Sequence, residues 1–374
     1  MATVSYTHDA ILSVVRSKVP IWHKDAVDCT LRNRTVFPLM RKWGNLMLGV
    51  EISWARIWNI KSKLPETEEW LDNPDQDFPS GPEQEQYQLT PGAYIAKDSL
   101  SEQQYEAVLG SKSQIYNLYT EKAVDCQTSM ANKLNYAAIK GDGTGRQMSG
   151  FDTFLTTGTT AAATDIVAKP DDSYAGQDTD VGAEGTWSTN LTTSPNASIA
   201  TDWPEGQGSP EYDAKSPLQL VRNGPWTNGN TWPNNSTQIF RYACSVQRHR
   251  GAKVADPSAP LTFLCGERME REWREFAEAR NYRLEPVKEA INIGMPQTVY
   301  FENSWVTSDY DVLPNEAYIV QPDMIEFYTG PSYKQIWKMD GPYEFKPEFR
   351  HLYSCRTIGN FRFQVKFLGN IKDY

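Results

Sequence analysis

The residues with the best claim to chemistry are few and scattered. Gly141-Asp142-Gly143-Thr144-Gly145 is glycine-rich enough to suggest a phosphate cradle. Such a cradle works because a helix starts after it and offers unpaired N–H groups to the anion. Here the glycines follow a predicted helix, so they read as the turn that ends it. Asp178-Thr179-Asp180-Val181-Gly182 begins like a calcium loop, but the later ligands of such a loop do not follow at its spacing. His8, His23, His249 and His351 are isolated, with no His-x-x-x-His or His-Glu-x-x-His pair to hold zinc. The sequence contains neither a Gly-x-Ser-x-Gly elbow nor a Gly-x-x-x-x-Gly-Lys-Ser/Thr loop. Carboxylates that could act as an acid and base pair, such as Glu66 and Glu69, lie in polar runs. The expectation is a protein that is not an enzyme, with no catalytic residue, no cofactor and no metal.

Cys29, Cys126, Cys244, Cys265 and Cys355 are odd in number, far apart and without a Cys-x-x-Cys pair. They read as reduced thiols, most of them small core residues. The formal charge is −10 over 374 residues. Only short basic clusters such as Arg248-His249-Arg250 occur, so a phosphate-gripping stripe is not expected. The acidity is local. Residues 157–236 hold three basic and ten acidic residues, which accounts for −7 of the −10. That segment is poor in aliphatic residues and reads as a solvent-facing loop region, partly folded because it carries Trp187, Trp203, Trp226 and Trp232. No signal peptide is expected at Met1–Ser5, and no apolar run is long enough to span a bilayer. Twelve Trp, nineteen Tyr and fourteen Phe lean towards a chain that buries much surface, against copies of itself included.

The elements that would position these residues follow from periodicity. Residues 7–19 suit a short helix, with Thr7 as N-cap and Ile11, Val14 and Val15 on one face. Residues 20–48 show no sustained period and read as an extended arm. At 50–62, Ile52, Trp54, Trp58 and Ile60 share one parity, interrupted by Arg56, which predicts a strand. The polar run 64–92 follows, and then Tyr94-Ile95-Ala96. Together they predict a long hairpin with a polar tip, too thin to cover those rings itself. Ile52, Trp54, Trp58 and Ile60 are therefore the candidate assembly interface, to be covered by a neighbouring copy or by the chain's own core. Residues 111–140 form the clearest helix, with Ile115, Tyr119, Ala123, Cys126, Met130, Leu134 and Ala137 on one stripe. At about 1.5 Å per residue it would be a rod of about 45 Å. A helix at 236–249 capped by Ser236 or Thr237, a buried strand at Leu261–Cys265, a charged helix at 267–281 and strands at 298–301, 318–320, 324–328 and 361–367 complete an α+β pattern.

The order of parts resembles the major capsid proteins of tailed bacteriophages, with the HK-ninety-seven-like fold. Three places carry the resemblance. They are the helix and its exit over 134–155, with Gly-Asp-Gly-Thr-Gly and then Gly150-Phe151-Asp152-Thr153-Phe154-Leu155; Gly294-Met295-Pro296-Gln297-Thr298-Val299; and the closing strands within 349–371. Tyr174-Ala175-Gly176-Gln177 to Trp187 is similar to a loop of some members. Phe151 stands where Leu is usual, and 188–236 is longer than the family core needs. The resemblance implies an N-terminal arm at 1–48, an extended loop at 49–108, a peripheral-domain spine helix at 109–149, an axial domain at 150–330 with long acidic loops, and peripheral return strands at 331–374. It also implies pentamers and hexamers that tile an icosahedral-type shell in the virion, assembled in the host cytoplasm. Implied partners are a scaffolding protein, which a chain starting at Met1 suggests is separate, a portal and decoration proteins, with DNA enclosed but not read and no membrane. The competing readings are an encapsulin-like compartment shell and another virion protein, such as a tail or decoration protein with carbohydrate-binding Trp residues.

Overall fold

The structure, a computed structural model, describes residues 34–43, 45–49, 56–61, 84–100, 112–155, 173–178, 217–221, 231–252, 260–280, 284–292, 295, 297–330, 336–343 and 351–373. In chain order they form α1 (Val36–Lys42), β1 (Leu46–Met47), β2 (Arg56–Lys61), β3 (Gln84–Leu89), β4 (Gly92–Leu100), α2 (Lys112–Lys140) and α3 (Asp152–Leu155). Next come β5 (Ser173–Tyr174), β6 (Gln177–Asp178), β7 (Leu218–Val221), α4 (Trp232–His249), β8 (Thr262–Cys265), α5 (Glu267–Ala279) and α6 (Lys288–Asn292). The last are β9 (Val299–Phe301), β10 (Ser304–Ser308), β11 (Glu316–Val320), β12 (Ile325–Thr329), β13 (Lys338–Tyr343), β14 (His351–Phe363) and β15 (Gly369–Lys372). The predicted helix 7–19 lies outside the described residues.

Two sheets organise these elements. The first is built on β14, the longest strand at 13 residues. One edge of β14 pairs with β4 from His351↔Leu100 to Gly359↔Gly92. The other edge takes β13 along its first half and β12 along its second, and β1 adds to β12 in parallel. Helix α2 lies across β4 and β14, with Tyr119 against Tyr353 at a 5.6 Å ring separation. The helix stripe read from the sequence is the stripe that is buried: Tyr119, Ala123, Cys126, Met130, Leu134 and Ala137 all face the core. Its 29 residues make a rod of about 43 Å.

The second sheet has six strands in the order β7-β15-β11-β8-β10-β9, mixed in direction. Helices α4 and α5 pack together and cover it. Phe240 of α4 meets Phe263 at 4.5 Å, and Trp273 of α5 meets Phe301 at 5.6 Å, edge to face. Aromatic pairs in these geometries add about 0.5–1.5 kcal/mol each beyond area burial. Four of the cysteines, Cys126, Cys244, Cys265 and Cys355, are buried and unpaired. Burial pushes the Cys126 and Cys244 thiols up to about 11, where they are poor nucleophiles.

Several expectations need correction. Residues 36–42 are not extended arm. They form α1, and Val36, Phe37, Leu39 and Met40 are inside the main core, with Phe37 against Phe327 and Phe361. About two helical turns are too short to show a period in sequence. The partner of β2 is not the Tyr94 run but β3, whose Gln-Glu-Gln-Tyr-Gln-Leu sequence hid a strand that buries Tyr87 and Leu89. The Tyr94 run belongs to β4 and is a full strand of the first sheet. Helix α4 begins at Trp232, four residues before Ser236, which lies inside it and donates to the Pro233 carbonyl. Pro233 sits in the first turn, where its missing N–H costs nothing. The strand expected at 361–367 ends at Phe363 but starts ten residues earlier, at His351, and Val365–Phe367 is a 3-10 turn. Sheet membership also crosses the boundary drawn at 330/331: β12 lies in the first sheet and β15 in the second.

The turn after α2 is what the glycines predict. Glycine is required at both ends of its base, since a Cβ on Gly141 would come 2.2 Å from the Met148 carbonyl oxygen and one on Gly150 2.3 Å from that of Ala137. Between them Asp142 accepts the backbone N–H of Thr144 at 3.0 Å and its hydroxyl at 2.9 Å. Asp142 is thus occupied as a turn residue.

Candidate assembly site

Two places among the described residues join segments far apart in sequence: the root of the β2–β3 hairpin and the meeting of α2 with the second sheet. Even-numbered residues of β2 face inward, as the sequence parity predicts. Trp58 is buried, Ile60 is partly buried against the main core, and Ile57 on the other face is exposed. The Trp58 ring stacks on Tyr87 of β3 at 5.6 Å and meets Tyr174 at 6.4 Å. The Arg362 guanidinium sits 5.1 Å from the ring centre, held by Glu326 at 2.9 Å. Trp58 therefore packs into the chain's own core, the second of the two covers that the sequence leaves open. Ile52 and Trp54 lie outside the described residues.

Tyr174 makes this root a clamp. It is fully buried, its hydroxyl accepts the Phe363 N–H at 2.9 Å and donates to the Phe361 carbonyl at 3.3 Å, and burial drives its pKa well above the ordinary value. The turn that carries it, β5–β6, has Ala175 at φ 54° and Gly176 at φ 81°. The Ala175 carbonyl accepts the Gln88 N–H of β3 at 2.9 Å, and the Gln177 side chain donates to Gln86. A segment expected to be loop thus inserts a ring beneath the hairpin and bonds to its edge. The sequence signal was there in Tyr-Ala-Gly-Gln, a turn sequence beside a lone aromatic.

Two polar networks lie where α2 meets the second sheet. In the first, Lys140 at the end of α2 donates to Glu316 at 2.7 Å and to the Tyr318 hydroxyl at 2.9 Å, and pairs with Asp152 at 3.1 Å. Tyr318 donates to Asp152 at 2.6 Å, and Lys372 of β15 closes on Glu316 at 3.3 Å. Burial would raise the Glu316 pKa, but Lys140 and Lys372 outweigh it and hold the carboxyl below its ordinary value. In the second network, Asp309 is almost fully buried in the β10–β11 loop. It accepts the Thr35 N–H at 2.8 Å and the Thr35 hydroxyl. Asn135 of α2 donates to Asp311 at 2.6 Å, and Arg34 donates to Asp311 at 3.1 Å. Burial raises the Asp309 pKa, opposed by the Thr35 bonds. The two networks tie the start of α1, the last turns of α2 and the second sheet together, across sequence separations above 170 residues. None of these residues was a sequence candidate, because nothing local marks Lys140 or Asp309 as buried.

Among the described residues, no group of three or more His, Cys, Asp or Glu side chains is placed to hold a metal ion, and no helix is long and apolar enough to cross a membrane. A long helix laid over a strand-rich sheet, a second mixed sheet under two helices, and a hairpin rooted on the first sheet make up the tailed-phage major capsid protein fold. The structure is similar to a chain of the cyanophage A-1(L) capsid asymmetric unit, over 89% of this chain and 92% of that one, with a TM-score of 0.56 and 11% identity. It is also similar to a capsid chain of an empty GTA particle, over 89% and 90%, with a TM-score of 0.50 and 10% identity. No protein-family model and no curated protein matches the sequence.

Proposed function

We propose that the chain is the major capsid protein of a tailed phage, a structural protein and not an enzyme. Copies associate as pentamers and hexamers into an icosahedral-type shell that encloses the genome in the virion, assembled in the host cytoplasm. The observation that carries this reading is the likeness of the fold to a capsid chain over 89% of this chain. Physical chemistry supports it. A shell made of one sequence must accept neighbours at slightly different angles. Polar networks with fixed bond directions keep the body of each copy alike, and the β2–β3 hairpin is the element we propose to meet a neighbour. The charge of −10 suits DNA that is enclosed without being gripped. A scaffolding protein, a portal and decoration proteins are the partners this role calls for. The boundaries of arm, extended loop, peripheral and axial parts are proposed as the sequence places them, with β12 and β15 exchanged between the two sheets.

The test is electron microscopy of the expressed full-length protein. Closed shells or sheets of hexamers are expected. A protein that stays monomeric at high concentration, with no shell or sheet under any salt condition, would overturn the reading.

A further inference from the structure

The inner face of the second sheet carries a row of polar side chains that the networks above only partly use. Strand β7 lies parallel to β15 with Gln219 beside Asn370, and β15 lies against β11 with Asn370 beside Tyr318. Successive residues of a strand point to opposite faces. Leu218, Leu220, Ile371 and Ile319 belong to the core under α4 and α5. Gln219, Asn370 and Tyr318 therefore share the other face, towards α3 and the end of α2. There the Tyr318 hydroxyl accepts from Lys140 and donates to Asp152, and Asn370 Nδ2 donates to the Leu155 carbonyl at 2.8 Å. Gln219 is 0% exposed and Asn370 1%. Even so, Oε1 and Nε2 of Gln219 and Oδ1 of Asn370 meet no donor or acceptor among the described residues.

We propose that the strip between Gln219 and Asn370 is an internal hydration site, where ordered water bonds both amides. Buried amides in folded proteins are almost always satisfied, by protein groups or by water that the fold encloses. The three atoms decide which ligand fits. They are two uncharged acceptor oxygens and one donor nitrogen. An anion would face both oxygens. A cation would sit on the face of β15 that Lys372 already occupies, two residues beyond Asn370. Water donates twice and accepts twice, so one molecule can join Gln219 Oε1 to Asn370 Oδ1 while a second accepts from Gln219 Nε2. A direct bond from Gln219 Nε2 to Asn370 Oδ1 satisfies less, since it leaves Gln219 Oε1 buried and unbonded. The site extends the Lys140 and Tyr318 network through register neighbours to β7, the strand at the end of the sheet order. It concerns one chain by itself and does not rest on the shell-forming reading.

The test is an experimental structure of the full chain, free or assembled, at a resolution that shows ordered water, for wild type and for Gln219→Leu. In wild type, water density is expected within about 3.2 Å of Gln219 Oε1 and of Asn370 Oδ1. In Gln219→Leu that density is expected to be lost, with the bond from Asn370 to the Leu155 carbonyl kept. Three results overturn the proposal: Gln219 bonded directly to Asn370 or to another protein group without water, both amides lying in apolar contact with no density between them, or a water that is unchanged in Gln219→Leu. If Gln219→Leu does not fold, the wild-type density decides alone.

Discussion

The hairpin root and the body junction solve the same problem with different chemistry. At the root, Trp58, Tyr87 and Tyr174 pack ring on ring, with Arg362 and bonds to backbone groups giving direction. At the junction, Lys140, Asp152, Glu316, Tyr318, Asp309 and Asn135 are joined by directed bonds at 2.6–3.1 Å for the most part. Stacked rings lose little when they slide or tilt, because dispersion depends weakly on angle. Buried charges lose much, because each broken bond leaves a desolvated ion. Small shifts therefore cost less at the root than at the junction.

Breaking the junction should do the most harm. Lys140→Met removes the cation between Glu316 and Asp152 and leaves Glu316 buried with Lys372 alone. The expected loss is about 3–5 kcal/mol of stability, read by chemical denaturation. A double change to Lys140→Met with Glu316→Leu should recover much of it, since a buried pair replaced by apolar residues is often neutral. Trp58→Ala should cost about 3 kcal/mol by the same measurement, and leave a hairpin that proteases cut faster at its root. Trp58→Phe should cost under half of that, because the seam needs a ring more than a particular ring. Asn135→Ala comes next, at about 1–2 kcal/mol, since it frees acceptors on Asp311 and Asp309 that Arg34 and Thr35 still partly satisfy.

The smallest effect separates the two seams by pH. The Glu316 pKa is lowered in the fold, so Glu316 stabilises the protein above the ordinary value of 4.5 and loses that contribution as pH falls through its lower folded value. The Asp309 pKa is raised, so its ionisation costs stability: the cost is absent below the ordinary value of 3.8 and complete once pH rises past the folded value. Glu316→Gln should therefore flatten the acid limb of a stability profile, and Asp309→Asn should remove a decline seen as pH rises from acid. Trp58→Phe should leave the shape of the profile unchanged. A profile insensitive to both carboxyl variants would show that the networks are solvated and that the contrast with the root is not electrostatic.

Legibility followed length and locality. Helix α2 was readable because seven apolar residues recur over eight turns, and burying that stripe leaves few alternatives. Strand β8 and helix α5 were readable for the same reason over shorter spans. The turn at 141–145 was readable because glycine after a helix has a local backbone cause. Strand β3 was missed, because a strand exposed on one face and covered by two side chains on the other carries a weak pattern. The first ten residues of β14 were missed because Tyr353, Cys355 and Thr357 face the helix while Arg356 and Ser354 separate them, and so the apolar density stays low. The resemblance of the ordered parts to phage capsid proteins was legible, and the fold agrees with it.

The sequence by itself determined the helices α2 and α5 and the strand β8, the inward parity of β2, where the main helix stops, and that the acidity is concentrated in one region. These depend on neighbours within a few residues, where periodicity and turn chemistry act. Only the tertiary structure decided that Trp58 is covered by Tyr174 and Arg362, more than 110 and 300 residues away, and that Thr35 and Asp309 meet across 274 residues. It also decided which of many similar lysines and aspartates are buried. A charged residue looks the same in sequence whether water or a partner satisfies it, and the choice is made by packing that brings distant segments together.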